Sequence, residues 1–166
     1  MTKSIKTVDP AENEFLASLE ARGKHANLFF RVLANRPEAL KTFVPFYGAV
    51  MGPGSVERRT KELVYLTCSC TNHCAFCTAA HTAAGQKAGI TEQEMQSLQA
   101  GTDEGFSAPE LAAIRYAREL TATAAAATTR DALATHFNDE QMVELTLVAA
   151  TANWTNRFNN GLGILP

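Results

Sequence analysis

Apolar residues recur at three- and four-residue intervals along most of the chain, the spacing that lines one face of an α-helix. Phe15, Leu16 and Leu19 share a side of a first short helix, predicted from about Pro10 to Arg22, with Gly23 ending it. Leu28, Phe29, Val32 and Leu33 mark a second, over about Lys24 to Ala34. Pro37 suits the first turn of a third helix, whose Leu40, Phe43, Val44 and Tyr47 share a face. Pro45 lacks an N–H and should kink or split that helix. Gly52-Pro53-Gly54 interrupts the pattern, and Ser55 is placed to cap a helix to about Cys70 with Leu63, Val64 and Leu66 as its apolar side.

The polar Thr71-Asn72-His73 suggests a break, after which Cys74 opens a helix to about Ala88, with Gly89 at the position past its end. Thr91 and Glu94 form a capping box for a short following helix. Gly101 to Phe106 reads as loop. Ser107 and Glu110 form a second capping box and open a helix to about Ala127, with the run from Ala122 to Ala127 as helix interior. Leu133 to Phe137 is a short piece, and Asn138 caps a last helix carrying Met142, Leu145, Val148 and Ala152. Alternating strand patterns are absent. The prediction is one all-α domain over residues 1–166, a helical bundle.

Composition sharpens this picture by exclusion. In 166 residues, 46% are apolar, enough for an ordinary core. Fifteen basic and seventeen acidic residues leave a net charge of −2, with no basic stripe, so nucleic acid is not an expected partner. No apolar run is long enough to span a bilayer, and Met1 to Pro10 lacks the apolar stretch of a secretory signal. The expected location is the cytoplasm, where structural disulfides are rare. The four cysteines, all between Cys68 and Cys77, therefore read as redox-active or metal-binding.

Glu62, Cys74, Cys77 and His81 form an E-x₁₁-C-x₂-C-x₃-H string within the segment 55–89. On one straight helix Glu62 and Cys74 would lie about 18 Å apart, too far to cooperate. The break near Asn72 must therefore fold one helix back on the other. Cys74 and Cys77 then occupy the first turn of a helix, where free N–H groups favour a thiolate. His81, one turn after Cys77, can take the thiol proton, and Glu62 can orient the imidazolium. Cys74 and Cys77 are near enough that, once one is oxidised to a sulfenic acid, the other can condense with it to a disulfide.

Other readings compete. Arg58 and Glu62 could be a plain intrahelical ion pair, and Cys68 and Cys70 buried small hydrophobes. Cys70, Cys74, Cys77 and His81 would fall near one face of an unbroken helix and suit zinc. Cys70, Cys74 and Cys77 also match a C-x₃-C-x-aromatic-C pattern for a four-iron cluster, set in strand-rich barrels unlike this chain. A non-enzymatic redox sensor or oligomeric scaffold is a further alternative. The preferred reading needs no cofactor or metal. His73 could tune a thiol or serve as a cap, and His25 and His136 have no visible partners. Trp154 and the phenylalanines read as core. The polar stretch Asn153 to Gly163 exceeds what a helix end needs, and a pocket or interface role is open to it.

With these motifs the chain resembles the alkylhydroperoxidase D family, within the larger carboxymuconolactone decarboxylase-like group, over about Pro37 to Met95. The Ala-Ala-His-Thr and Ala-Gly-Ile-Thr segments support the match, with a weaker echo in Asn153 to Gly163. The resemblance implies an all-α homo-oligomer (a trimer or hexamer), and thiol-dependent peroxidase or disulfide-reductase activity on a hydroperoxide with an external dithiol or redox-protein reductant. It implies Cys77 as the peroxide-reactive thiol, Cys74 as the resolving thiol open to the reductant, and Glu62 and His81 as the proton relay. This chain has Phe76 where well-studied members have a histidine. Decarboxylases of the wider group lack the cysteine pair, so lactone decarboxylation fits poorly.

Overall fold

The computed structural model describes residues 5–166, and among them the only regular structure is helical. The described residues up to Ala49 make one compact unit and Val50–Pro166 a second.

In the first unit a short 3₁₀ turn, Pro10–Glu12, precedes α1 (Glu14–Ala21) and α2 (Leu28–Leu33). The first two helices start later than their apolar pattern suggests, because asparagines cap them. Asn13 accepts from the N–H groups of Phe15 and Leu16, and Asn27 from that of Phe30. Val8 and Arg31 exchange two hydrogen bonds that tie the leading segment to α2. Phe29 meets Phe43 edge-on at 5.3 Å. Helix α3 (Pro37–Met51) runs unsplit through Pro45.

In the second unit, α4 (Arg58–Thr71) is the central strut, and every residue from Lys61 to Ser69 is buried. Helices α5 (Ala75–Lys87), α7 (Ala108–Thr123) and α9 (Asp139–Leu162) pack around it. Leu63 and Leu66 join Ile90, Met95, Leu98 and Ile114 in one apolar cluster that includes α6 (Glu92–Ala100). Ala113 and Ala117 on α7 are fully buried, small residues that permit close helix approach. A helix buried on all sides must satisfy its own polar groups. Thr67, Ser69 and Thr71 do so by donating to the carbonyls of Leu63, Tyr65 and Thr67. Lys61 reaches the carbonyls of Val50 and Gly52 at 3.0 and 2.7 Å, and pairs with Glu144.

Two expected helix boundaries move for tertiary reasons. Ser55 does not cap α4; its N–H and hydroxyl donate to Glu144 on α9, and Glu57 takes the cap position without a side-chain bond. Helix α7 stops at Thr123, with Ala124 in the left-handed region, so Ala122 to Ala127 is not helix interior. There the Glu119 carboxylate gathers the N–H and hydroxyl groups of Thr128 and Thr129 and turns the chain. The short helix α8 (Arg130–Ala134) follows, three residues earlier than its apolar pattern indicates. The capping boxes at Thr91, Ser107 and Asn138 all form.

Candidate functional site

The chain reverses between α4 and α5 with His73 alone outside the helices and their caps. Asn72 ends α4, and His73 adopts φ 52°, a left-handed turn that glycine usually supplies. The N–H of His73 donates to Cys70 O and that of Cys74 to Ser69 O, at 3.0 and 2.9 Å, the paired bonds of a Schellman stop. Cys74 is at the same time the N-cap of α5, its sulfur accepting from Cys77 N–H. One residue thus closes one helix and opens the next. The consequence is the juxtaposition that the spacing requires: α5 lies back along α4.

Glu62 on α4 and His81 on α5 meet in this fold, Oε2 to Nδ1 at 2.7 Å, with Glu62 fully buried. The other carboxylate oxygen accepts from Arg58, Nε at 2.8 Å and Nη2, so the intrahelical pair and the histidine contact coexist. Burial pushes the Glu62 carboxyl up, but the His81 and Arg58 contacts outweigh it and hold the group below its ordinary value. With Nδ1–H committed to a carboxylate, Nε2 is the ring's acceptor. Tyr65 stacks on the His81 ring at 3.5 Å and 13°, and its hydroxyl bonds Thr155 on α9. The imidazole is therefore fixed at its edge and on its face.

Cys74 and Cys77 are free thiols with sulfurs 2.7 Å apart. The Cys74 thiol donates to Cys77, and that bond, aided by Asn159, Asn156 and the charge of His81, lowers Cys77 below an ordinary thiol despite its burial. Cys74 is correspondingly raised, first by that same bond and then by burial. Cys68 is pushed up to about 12 by burial, and Cys70 is raised for the same reason. Cys77 alone of the four is biased toward thiolate. Both motif sulfurs are buried, Cys74 with no exposed surface in the single chain, so the open resolving thiol that the resemblance implies is not what the structure presents. Cys74 instead is among the residues lining a cleft of about 530 Å³, with Cys70, His73, Thr78, Thr82 and Gln99. The turn at Asn72–His73 also dissolves the unbroken-helix face on which the zinc alternative rests.

Helix α9 contributes what the motif did not predict. Asn156 donates to Ser69 Oγ and accepts from Asn72, which also donates to Asn153. Asn160 donates to the Asn72 carbonyl, and Asn159 Nδ2 donates to Cys77 Sγ at 3.1 Å. The surplus of asparagines near the C-terminus was the available signal; which sulfur they face is set by how α9 crosses α4 and α5. Trp154 on the same helix is not core: it is 45% exposed and stacks on Phe158.

A family model described as the carboxymuconolactone decarboxylase family matches residues 37–119. The uncharacterized protein YdfG of Bacillus subtilis (strain 168) is 32% identical over 113 residues, 66% of this chain and 77% of that one. Among solved structures, an uncharacterized peroxidase-related protein of Ralstonia eutropha JMP134, described as an alkylhydroperoxidase AhpD core, superposes with a TM-score of 0.83. Its identity is 20%, over 99% of this chain and 94% of that chain. A protein of unknown function from Agrobacterium tumefaciens, described as a candidate antioxidant defence protein AhpD, gives a TM-score of 0.72 at 25% identity. It covers 81% of this chain and 94% of that one. Among the described residues no helix is long and apolar enough to cross a membrane.

Proposed function

The chain belongs to the carboxymuconolactone decarboxylase family, and on that footing we propose that it is a thiol-dependent peroxidase that cycles Cys74 and Cys77 between dithiol and disulfide. The observation that carries this reading is the sulfur pair: two free thiols 2.7 Å apart, one lowered and one raised, beside a carboxylate-held imidazole. A low thiol supplies the nucleophile, and a high neighbour remains protonated until it is needed.

In the proposed cycle the Cys77 thiolate attacks the terminal oxygen of a hydroperoxide. The O–O bond breaks, the alkoxide takes a proton from the His81 imidazolium, and Cys77 becomes a sulfenic acid. Glu62 holds that imidazolium in place. Cys74 then attacks the sulfenic sulfur and gives up its proton to the departing hydroxide, so water leaves and a disulfide closes. An external dithiol, or a redox protein bearing one, attacks Cys74 from the cleft side and restores both thiols. Because Cys74 is covered in the single chain, this last step needs local opening around the cleft. The same machinery would reduce disulfides directly. The working form is proposed as a cytoplasmic homo-oligomer, a trimer or hexamer.

The test is steady-state peroxide consumption with several dithiol donors, wild type beside Cys77→Ser. Turnover that disappears in the variant supports the reading; turnover that persists refutes the assignment of Cys77.

A further inference from the structure

The asparagines at the end of α9 differ in one respect. Asn153 Oδ1 accepts from Asn72 and Arg157, and Asn156 Oδ1 accepts from Asn72. Asn159 Oδ1 accepts from nothing, although the residue is only 1% exposed. One other buried side-chain atom among the described residues shares that state, Arg118 Nη2, on a guanidinium already paired with Asp103. A buried amide oxygen without a donor is costly, so its persistence points to a donor that the chain itself does not supply.

Its neighbourhood narrows the donor. The same amide approaches Cys77 Sγ at 3.1 Å. A thiolate has no proton to give, so the amide must turn Nδ2 toward sulfur, which commits Oδ1 to the other side of the same planar group. A molecule about to react with Cys77 meets the amide that holds the sulfur. Cys77 itself is 3% exposed, so a slender end group is what can reach it.

We propose that Asn159 Oδ1 is the docking point for the O–OH end of a hydroperoxide, accepting the hydrogen bond of its O–H while Nδ2 steadies the attacking sulfur. This rests on the peroxidase reading above and adds to it a binding atom and a substrate requirement. Sulfur gives an electron pair to the hydroxyl oxygen, and the O–O bond breaks with its pair leaving on the alkoxide. His81 protonates the alkoxide to an alcohol. The hydroxyl hydrogen stays on its oxygen throughout, now part of the sulfenic acid and still bonded to Oδ1. Sulfur is oxidised by two electrons and the peroxide reduced by two. Hydrogen peroxide and monoalkyl hydroperoxides meet the requirement; dialkyl peroxides, which have no O–H, do not.

The experiment compares two reagents at Cys77: hydrogen peroxide, and methyl methanethiosulfonate, whose sulfenyl sulfur the same thiolate attacks with loss of methanesulfinate, and which carries no O–H or N–H. Rates are followed at Cys77 by mass spectrometry and divided by the thiolate fraction, titrated separately for each protein. In Asn159→Ala the peroxide rate should fall about 30-fold or more, and the thiosulfonate rate less than about 3-fold. Asn159→Asp has the same shape, keeps an acceptor oxygen and loses the donor. Its thiol pKa should rise while the ratio of the two rates stays within about 3-fold of wild type. Equal losses with both reagents in Asn159→Ala, an unchanged peroxide rate, or a collapsed ratio in Asn159→Asp each overturn the proposal. Should Asn159→Ala not fold, the Asn159→Asp ratio decides alone. Wild-type Cys77 that reacts with the thiosulfonate and not with peroxide would instead refute the peroxidase reading, and the docking role with it.

Discussion

Glu62 and His81, nineteen residues apart in sequence, are joined through Oε2 and Nδ1 at 2.7 Å inside the helical core. The contact exists because α4 stops at Thr71 and α5 starts at Ala75, with Cys74 serving both ends. Replacing the carboxylate by its isosteric amide, Glu62→Gln, leaves Arg58 without its anion and the His81 ring without its carboxylate partner. The variant should lose about 1–3 kcal/mol at neutral pH, measured by denaturant unfolding. Glu62 has a lowered folded pKa, so its contribution is present above the unfolded value of about 4.3 and is lost as pH falls through the lower folded value. The stability difference between wild type and Glu62→Gln should therefore shrink on acidification below that window. A difference that is flat with pH would contradict this.

Cys74→Ala removes the largest single cause of the Cys77 shift, the thiol hydrogen bond. The Cys77 titration midpoint, read from thiolate absorbance or from alkylation rate against pH, should move up toward the ~8.5 of a free thiol. In wild type the reactive form is lost as pH falls through the lowered pKa; in the variant that loss begins at higher pH. A midpoint unmoved by the substitution would show that the asparagines and His81 set it without Cys74.

Arg59 ties two capping boxes together: it pairs with Glu94 of α6 at 2.6 Å and Glu110 of α7 at 2.7 Å. Both carboxyls are lowered, against a burial cost, by Arg59 and by the cap residues Thr91 and Ser107. Arg59→Ala leaves these half-buried carboxylates with their caps only, and should cost about 2–4 kcal/mol while leaving the Cys77 thiol titration in place. Equal stability of wild type and variant would mean that the caps suffice.

A side chain at Gly54 requires the Glu144 carboxylate to move. A Cβ there would collide with the Glu144 carboxylate, which is held by Ser55, Val56 and Lys61. Gly54→Ala should displace that carboxylate from the buried Lys61 and cost about 2–4 kcal/mol in thermal or denaturant unfolding. A neutral result would show that Glu144 can move without losing Lys61.

What was legible in the sequence was local. Thr91, Ser107 and Asn138 reach their partners within three residues, so the two boxes and the Asn138 cap are visible by inspection. The turn at Thr71-Asn72-His73 is equally local, and it forces the meeting of Glu62 with His81. The errors came from long reach. Ser55 gives its hydroxyl to Glu144, 89 residues away, and no local pattern announces that. Ala122 to Ala127 has strong helix propensity, but Glu119 bonding to Thr128 and Thr129 outweighs it. Trp154 reads as core by type, whereas α9 turns Asn156 and Asn159 inward and leaves the indole half outside. That inward face places Asn156 and Asn159 beside the motif, and only the packing of α9 decides it.

The most direct measurement is a count of free thiols, with mass-spectrometric mapping, before and after one equivalent of hydroperoxide. The account predicts the loss of two thiols per chain as a Cys74–Cys77 disulfide, with Cys68 and Cys70 still free. A single oxidised thiol, a disulfide mapped elsewhere, or four thiols surviving a full equivalent would contradict it.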